Sequence, residues 1–188
     1  MEADEARDLI EETVEEAKAA DAGERAFRAR VSVLVGVFAL LLALIHMAGA
    51  AAQRDSLLNA IEASDTFAYM QAKTVRETVL LANANMPGLD RDVRASELTE
   101  AMRLRQPDKA GHGIVQLQAR GGALRADSRQ AALKGESYEL GETALQLAIV
   151  LLSLALVGGS RRIVWGACGL AVAGTGLALL AVLGVVLG

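Results

Sequence analysis

The sequence has few of the groups that do chemistry. Its single cysteine, Cys168, cannot form an intrachain disulfide, so cysteine usage says nothing about redox compartment. The two histidines, His46 and His112, lie far apart and have no cysteine partner, which leaves no basis for a zinc site. Aromatic residues make up 3% of the chain and are not interleaved with a basic cluster; with a net charge of −4, this argues against nucleic-acid binding. No two candidate catalytic groups share a recognisable spacing. The expectation is a protein with no catalytic residue, no cofactor and no metal.

Charge is also missing, but only locally. Hydrophobic residues reach 53%, and three blocks carry no Lys, Arg, Asp or Glu: Val31–Gln53, Thr143–Ser160 and Ile163–Gly188. Each meets or exceeds the ~18 residues at which an uncharged segment reads as membrane-spanning rather than as a buried core helix. A cleaved signal peptide is the alternative for the first block. The residues before it are long and acidic instead of short and basic, and its 23 residues exceed an h-region of about 7–15. It reads as a retained anchor.

The chain then divides into four parts. Residues 1–24 form an acidic tail or short amphipathic helix, and 25–53 the first transmembrane helix. Residues 54–142 form an extramembrane helical hairpin with its tip at about 83–113, and 143–188 a transmembrane helical hairpin. Ten acidic side chains occupy Met1 to Glu24. Ile10, Val14 and Ala17 fall at helical spacing, but like charges four apart, such as Glu11 and Glu15, weaken a helix there. Gly23 is the expected break before the membrane helix.

Orientation follows from arginines beside the spans. Arg25, Arg28 and Arg30 precede the first block, and Arg161 with Arg162 supplies the charge between the second and third. Short Arg-rich segments face the cytoplasm. This places the N-terminus inside and the 54–142 hairpin and C-terminus in the periplasm. Trp165 fits the interfacial aromatic belt.

In the central region, steps of three and four from Leu58 give Leu58, Ile61, Asp65, Ala68, Ala72, Val75, Val79 and Ala82. Seven of these eight are apolar, the seam of a coiled coil. A weaker seam follows before the second block: Ile114, Leu117, Gly121, Leu124, Ser128, Ala131, Gly135, Tyr138, Glu142 and Leu145. Each segment runs for about 30 residues, or roughly 45 Å of helix, and equal arms suit an antiparallel hairpin. Pro87, within Asn85–Gly88, should end the first arm. Asp90 can cap a short helix through about Arg105, with Arg94 as its i,i+4 partner. Pro107, Gly111 and Gly113 break it again, leaving His112 in a solvated loop.

Several residues stand out as interaction candidates. Asp65 interrupts the first seam; with Arg54 set opposite Glu142, it comes near Arg129 and can pair with it or with a partner. Tyr69, Gln71, Lys73 and Arg76 could form a surface for an anionic group or a protein, or stand as solvated charges on an outer helix face. His46 and Gln146 are polar positions of similar depth in the first and second blocks. The simplest reading is an interhelical hydrogen bond between them; no Asp or Glu shares the membrane core with His46, so a proton relay would lack its usual partners. Gly184 and Gly188 form a GxxxG spacing in a glycine-rich third block and are candidates for helix packing.

From Ala63 to Val79 the chain carries Ser64, Asp65, Phe67, Tyr69, Gln71, Ala72, Lys73 and Arg76. This run, with LQLAIVLLS at Leu145–Ser153, resembles the bacterial membrane proteins grouped as domain-of-unknown-function family 4337. The likeness extends from about Val31 to the C-terminus, with Phe67 where a Trp is typical and Met70 in place of a second aromatic. It implies a transmembrane architecture and no established activity.

The fold expected is an all-α integral membrane protein of the bacterial inner membrane: three transmembrane helices with a long antiparallel helical hairpin between the first and second. The function expected is non-enzymatic, a structural or interaction protein. It would be a homo-oligomer or an accessory subunit beside another membrane protein in the lipid bilayer, assembled by coiled-coil and transmembrane packing. The alternative is a small channel or transporter with a path near His46 lined by Gln53, Ser153 and Thr175.

Overall fold

The computed structural model describes residues 2–184, with side chains from residue 21 onward. Among the described residues the chain is all-α, with four helices: α1 (Glu2–Ala84), α2 (Arg91–Arg105), α3 (Ile114–Gly158) and α4 (Arg161–Val182). Three of these helices are long and apolar enough to cross a membrane: α1, within Asp21–Ala84, α3 and α4.

Helix α1 runs through Gly23 without a break, contrary to the expectation from sequence. From Glu2 to Ala84 there is no proline, and its glycines Gly23, Gly36 and Gly49 are isolated. A single glycine in a helix costs only about 1 kcal/mol, too little to stop a helix extended on both sides. The stop comes where Pro87 and Gly88 stand. Gly88 takes a positive φ of 80°, a conformation favourable only to residues without Cβ. Asn85 closes the helix by donating from Nδ2 to the carbonyl of Leu81 at 2.9 Å. Asp90 caps α2, accepting from the Asp92 amide at 2.8 Å. The expected Asp90–Arg94 pair does not form among the described contacts; the Arg94 guanidinium donates instead to the carbonyl of Met86 at 3.3 Å.

Two compact units divide the chain. One, Ala50–Gly135, holds the second part of α1, all of α2 and the first part of α3. Here α1 and α3 run antiparallel: Gln53 meets Gly135, Ser56 meets Ser128, and Glu62 meets Arg120. The α3 seam read from sequence is the packed one, with Ile114 and Leu117 buried and Gly121 and Gly135 buried beside them. The α1 seam is not. Leu58, Ile61, Val75 and Val79 are 52%, 50%, 62% and 52% exposed, and Asp65, Ala68, Ala72 and Ala82 are exposed between them. The face that α1 turns inward instead carries Ser56, Asn59, Ala63, Thr66, Met70, Lys73, Glu77, Leu80 and Ala84, buried or half-buried at alternating spacings of three and four, with Phe67 half-buried beside Thr66.

Small side chains explain the exchange, because they let two helix backbones approach where bulky aliphatics would hold them apart. Phe67 sets the register. Its ring lies over Gly121, where an added Cβ would come within 2.9 Å of it. That register slips about two helical turns from the one drawn from equal arm lengths.

The other unit, Met1–Gly49 with Glu136–Gly188, holds the first part of α1, the second part of α3, and α4. Its core is Val31, Phe38 and Ile45 from α1, Leu145, Ala148, Leu152 and Ala155 from α3, and Ala167, Ala171, Ala178 and Ala181 from α4. Helices α3 and α4 touch backbone to backbone: a Cβ on Gly141 would sit 2.7 Å from the carbonyl oxygen of Gly174. Within the chain, this close packing between α3 and α4 is at Gly141 and Gly174. Gly184 follows the end of α4 with a φ of 79° and has nothing within 4 Å of an added Cβ; Gly188 lies outside the described residues.

Candidate functional site

In the unit of the apolar helices, a polar contact joins α1 to α3. His46 Nδ1 lies 3.2 Å from a carboxylate oxygen of Glu142. The other oxygen of Glu142 accepts from Gln146 Nε2 at 3.1 Å. The direct His46–Gln146 bond expected from sequence is thus replaced by a three-residue chain with the carboxylate in the middle. Glu142 and Gln146 are one turn apart on α3, so both lie on the same face. The carboxylate is half-buried, whereas the imidazole is 68% exposed.

This corrects the premise that His46 has no acidic neighbour. Glu142 lies just outside the uncharged second block, where the sequence places it in the hairpin opposite Arg54. Counting charges to find the end of a span sets aside the residue that the helix pairing brings back. Chemically, the node has an imidazole that can carry a proton, a carboxylate that can accept one, and an amide that fixes the carboxylate. Of the other polar positions, Ser153 donates to the carbonyl of Ile149 in its own helix, and Thr175 borders an apolar groove with Leu44, Tyr138 and Leu179.

In the hairpin unit the sequence-selected residues fall into different environments. Tyr69 and Lys73, one turn apart on α1, grip the loop before α3. The ammonium of Lys73 donates to the carbonyl of His112 at 2.5 Å and stands 5.4 Å from the centre of the Tyr69 ring. The His112 imidazole meets that ring edge-on, with centroids 5.6 Å apart. His112 is exposed, as expected of a loop residue, yet it is held at its carbonyl, its ring and its amide, which donates to Asp108 Oδ1 at 2.6 Å. Gln116, in the first turn of α3, accepts from the amides of Asp108 and Gly113 at 2.9 and 3.1 Å. The His112 amide, above all, and the Lys73 charge hold the Asp108 carboxyl below its ordinary pKa, despite a smaller opposing effect of desolvation. The chemistry here is loop closure.

Arg76 is spent on Glu100 of α2, and Arg105 of α2 reaches back to the buried Glu77 at 2.9 Å. Asp65 is exposed and forms no ion pair with Arg129 among the described residues. Arg129 instead borders a cavity of about 600 Å³ with Gln71, Ser64, Phe67 and Arg125. The Arg125 guanidinium lies 4.6 Å from the Phe67 ring centre. Of the six interaction candidates, Tyr69 and Lys73 are brought together, Gln71 and Arg129 share that cavity, and Asp65 and Arg76 stand apart from both.

Among the described residues no cluster of three or more His, Cys, Asp or Glu side chains could hold a metal ion. No curated protein matches the chain. No solved structure matched it either. A family model described as "Domain of unknown function (DUF4337)" matches residues 27–184, from the arginines before the first apolar block to the end of α4, and the chain belongs to that family.

Proposed function

We propose that the chain is a non-enzymatic structural or interaction protein of the bacterial inner membrane, working as a homo-oligomer or as an accessory subunit of a membrane complex. Its three apolar helices span the bilayer, its N-terminus is cytoplasmic, and the hairpin and C-terminus are periplasmic. One observation carries the reading: the most apolar seam of the hairpin, Leu58, Ile61, Val75 and Val79, lies open on α1. An aliphatic stripe at three–four spacing on a helix outside the bilayer is the pattern that buries itself against another helix. Asp65 in its midst would then set the register or the choice of partner. The test is the mass of the intact complex extracted from native membranes, with its components identified. A lone monomer copurifying with nothing sinks this reading.

A second reading has a specific observation behind it. The His46–Glu142–Gln146 chain provides the proton partner that a small channel or transporter needs, and intramembrane ionisable residues are functional by default. Proton flux into liposomes carrying the protein would then fall with His46→Ala and with Glu142→Gln. Flux equal to that of empty liposomes rules this reading out.

A further inference from the structure

Five arginines flank the apolar helices of the first unit, and the structure separates four of them into two pairs. Arg25 is paired with Asp21 at 2.9 Å and Arg28 with Glu24 at 2.5 Å, each one turn back along α1. Arg30 has no such neighbour: Ala26 and Leu34 stand four residues either side of it. Arg161 opens α4, where the positive end of the helix dipole disfavours a cation, and neither arginine has a carboxylate partner among the described residues. These two unneutralised guanidinium groups come from distant parts of the sequence, yet they line one cavity of about 460 Å³ between α1 and α4. Its apolar wall includes Phe27, Leu34 and Val164, and Trp165 stands at its side.

We propose that this cavity binds the phosphodiester headgroup of an anionic phospholipid. Guanidinium groups bind phosphate oxygens in pairs of charge-assisted hydrogen bonds, and basic pockets between membrane helices hold anionic headgroups. The apolar wall gives the glycerol and upper acyl carbons a surface, and a tryptophan indole favours the headgroup level. A bound phosphodiester also relieves the mutual repulsion of Arg30 and Arg161. The inference rests on the reading that these helices lie in a bilayer.

Trp165 is the sequence's only tryptophan, so its fluorescence reports on this cavity directly. Full-length protein in nonionic detergent is titrated with dihexanoyl-phosphatidylglycerol, with dihexanoyl-phosphatidylcholine and with inorganic phosphate. The expected result is a saturable change with phosphatidylglycerol at an affinity at least tenfold tighter than with phosphatidylcholine. Replacing both arginines, Arg30→Gln with Arg161→Gln, should weaken phosphatidylglycerol at least tenfold, while Arg54→Gln leaves it unchanged. The pair Arg30→Lys with Arg161→Lys, which keeps both charges, should retain most of the affinity. Equal affinity for the two lipids, or no loss in the double glutamine variant, overturns the proposal. Inorganic phosphate saturating the signal as tightly as the anionic lipid overturns the lipid as its source. Carbonate extraction of wild-type membranes separates the two levels: protein that stays with the membrane but ignores lipid charge removes the site alone, and protein released by carbonate removes the spanning reading with it.

Discussion

Between residues 56 and 84, helix α1 has two faces with unexpected roles. One carries Ser56, Asn59, Ala63, Thr66 and Glu77 beside Phe67, Met70 and Leu80 and is packed; the other carries Leu58, Ile61, Val75 and Val79 around Asp65 and is open. Transfer free energy alone would bury the second face, at about 25 cal/mol for each Å² of apolar surface. What the first face offers is proximity. Alanine, serine and threonine let α3 come near enough for Phe67 to lie on Gly121 and for Ser128 to donate to the carbonyl of Ser56 at 2.9 Å. The polar groups of the packed face are met where they are buried, Glu77 by Arg105 and Lys73 by the His112 carbonyl. The lesson is that the most apolar seam of a helix need not be the face that packs within the chain.

The largest contrast comes from truncating one residue on each side of this divide. Leu117, on the α3 seam, is 3% exposed, and Leu117→Ala should cost the hairpin about 3 kcal/mol through lost contacts and the cavity left behind. Val75→Ala, on the open seam, should stay within about 0.5 kcal/mol for the unassembled chain. Urea unfolding of full-length protein in detergent, followed by circular dichroism, measures both. Comparable losses for the two would mean that the open seam is covered within the chain, and the comparison would fail.

A smaller effect tests how the register is held. A Cβ on Gly121 would come within 2.9 Å of the Phe67 ring, so Gly121→Ala should destabilise by about 1–2 kcal/mol through overpacking. With Phe67→Ala already in place the clash is gone, and the same change should recover about 1 kcal/mol, because alanine favours a helix over glycine. The sign therefore reverses between the two backgrounds. A Gly121→Ala effect of the same sign in both would show that Phe67 does not fix the pairing of α1 with α3.

The punctuation of the fold was legible in the sequence, and its pairing was not. Pro87 and Gly88 marked the end of α1, Asp90 the cap of α2, and uncharged length marked the three helices long and apolar enough to cross a membrane. Each is a local signal carried by one residue type or one stretch. Pairing is a relation between two stretches. The equal-arm argument fixed it by counting from charge boundaries, whereas the structure fixes it by where a ring finds a glycine. The same counting put Glu142 outside the apolar helices and so hid it from His46, although His46 itself was visible as an odd residue in an uncharged block. Arg129, expected beside Asp65, borders a cavity with Gln71. Ala-rich packing of α4 was visible as small residues, but nothing in their spacing singled out Gly174 over Gly184.

The smallest predicted effect concerns the tip, where the packed face of α1 becomes polar and Lys73 reaches the loop. Asp108 accepts from the His112 amide at 2.6 Å, and this bond, aided by the charge of Lys73, lowers its pKa from the ordinary carboxylate value. A carboxyl with a lowered folded-state pKa supports the fold fully above its unfolded value of about 3.9, and that support is lost as pH falls through the folded one. The support that Asp108 gives the loop should therefore be lost only in strong acid, below about pH 4. The groups facing Asp108 are Lys73 and His112, with the amide of Ala110. Amide exchange at His112, corrected for the intrinsic pH dependence, should lose protection across that window in the wild type. In Asp108→Ala, protection there should be low throughout, with no step. Leu117, buried three residues into α3, should keep its protection in both proteins. If His112 and Leu117 lose protection together, the tip and the packed seam melt as one body, and α1's polar contacts hold the hairpin as firmly as its close-packed ones do.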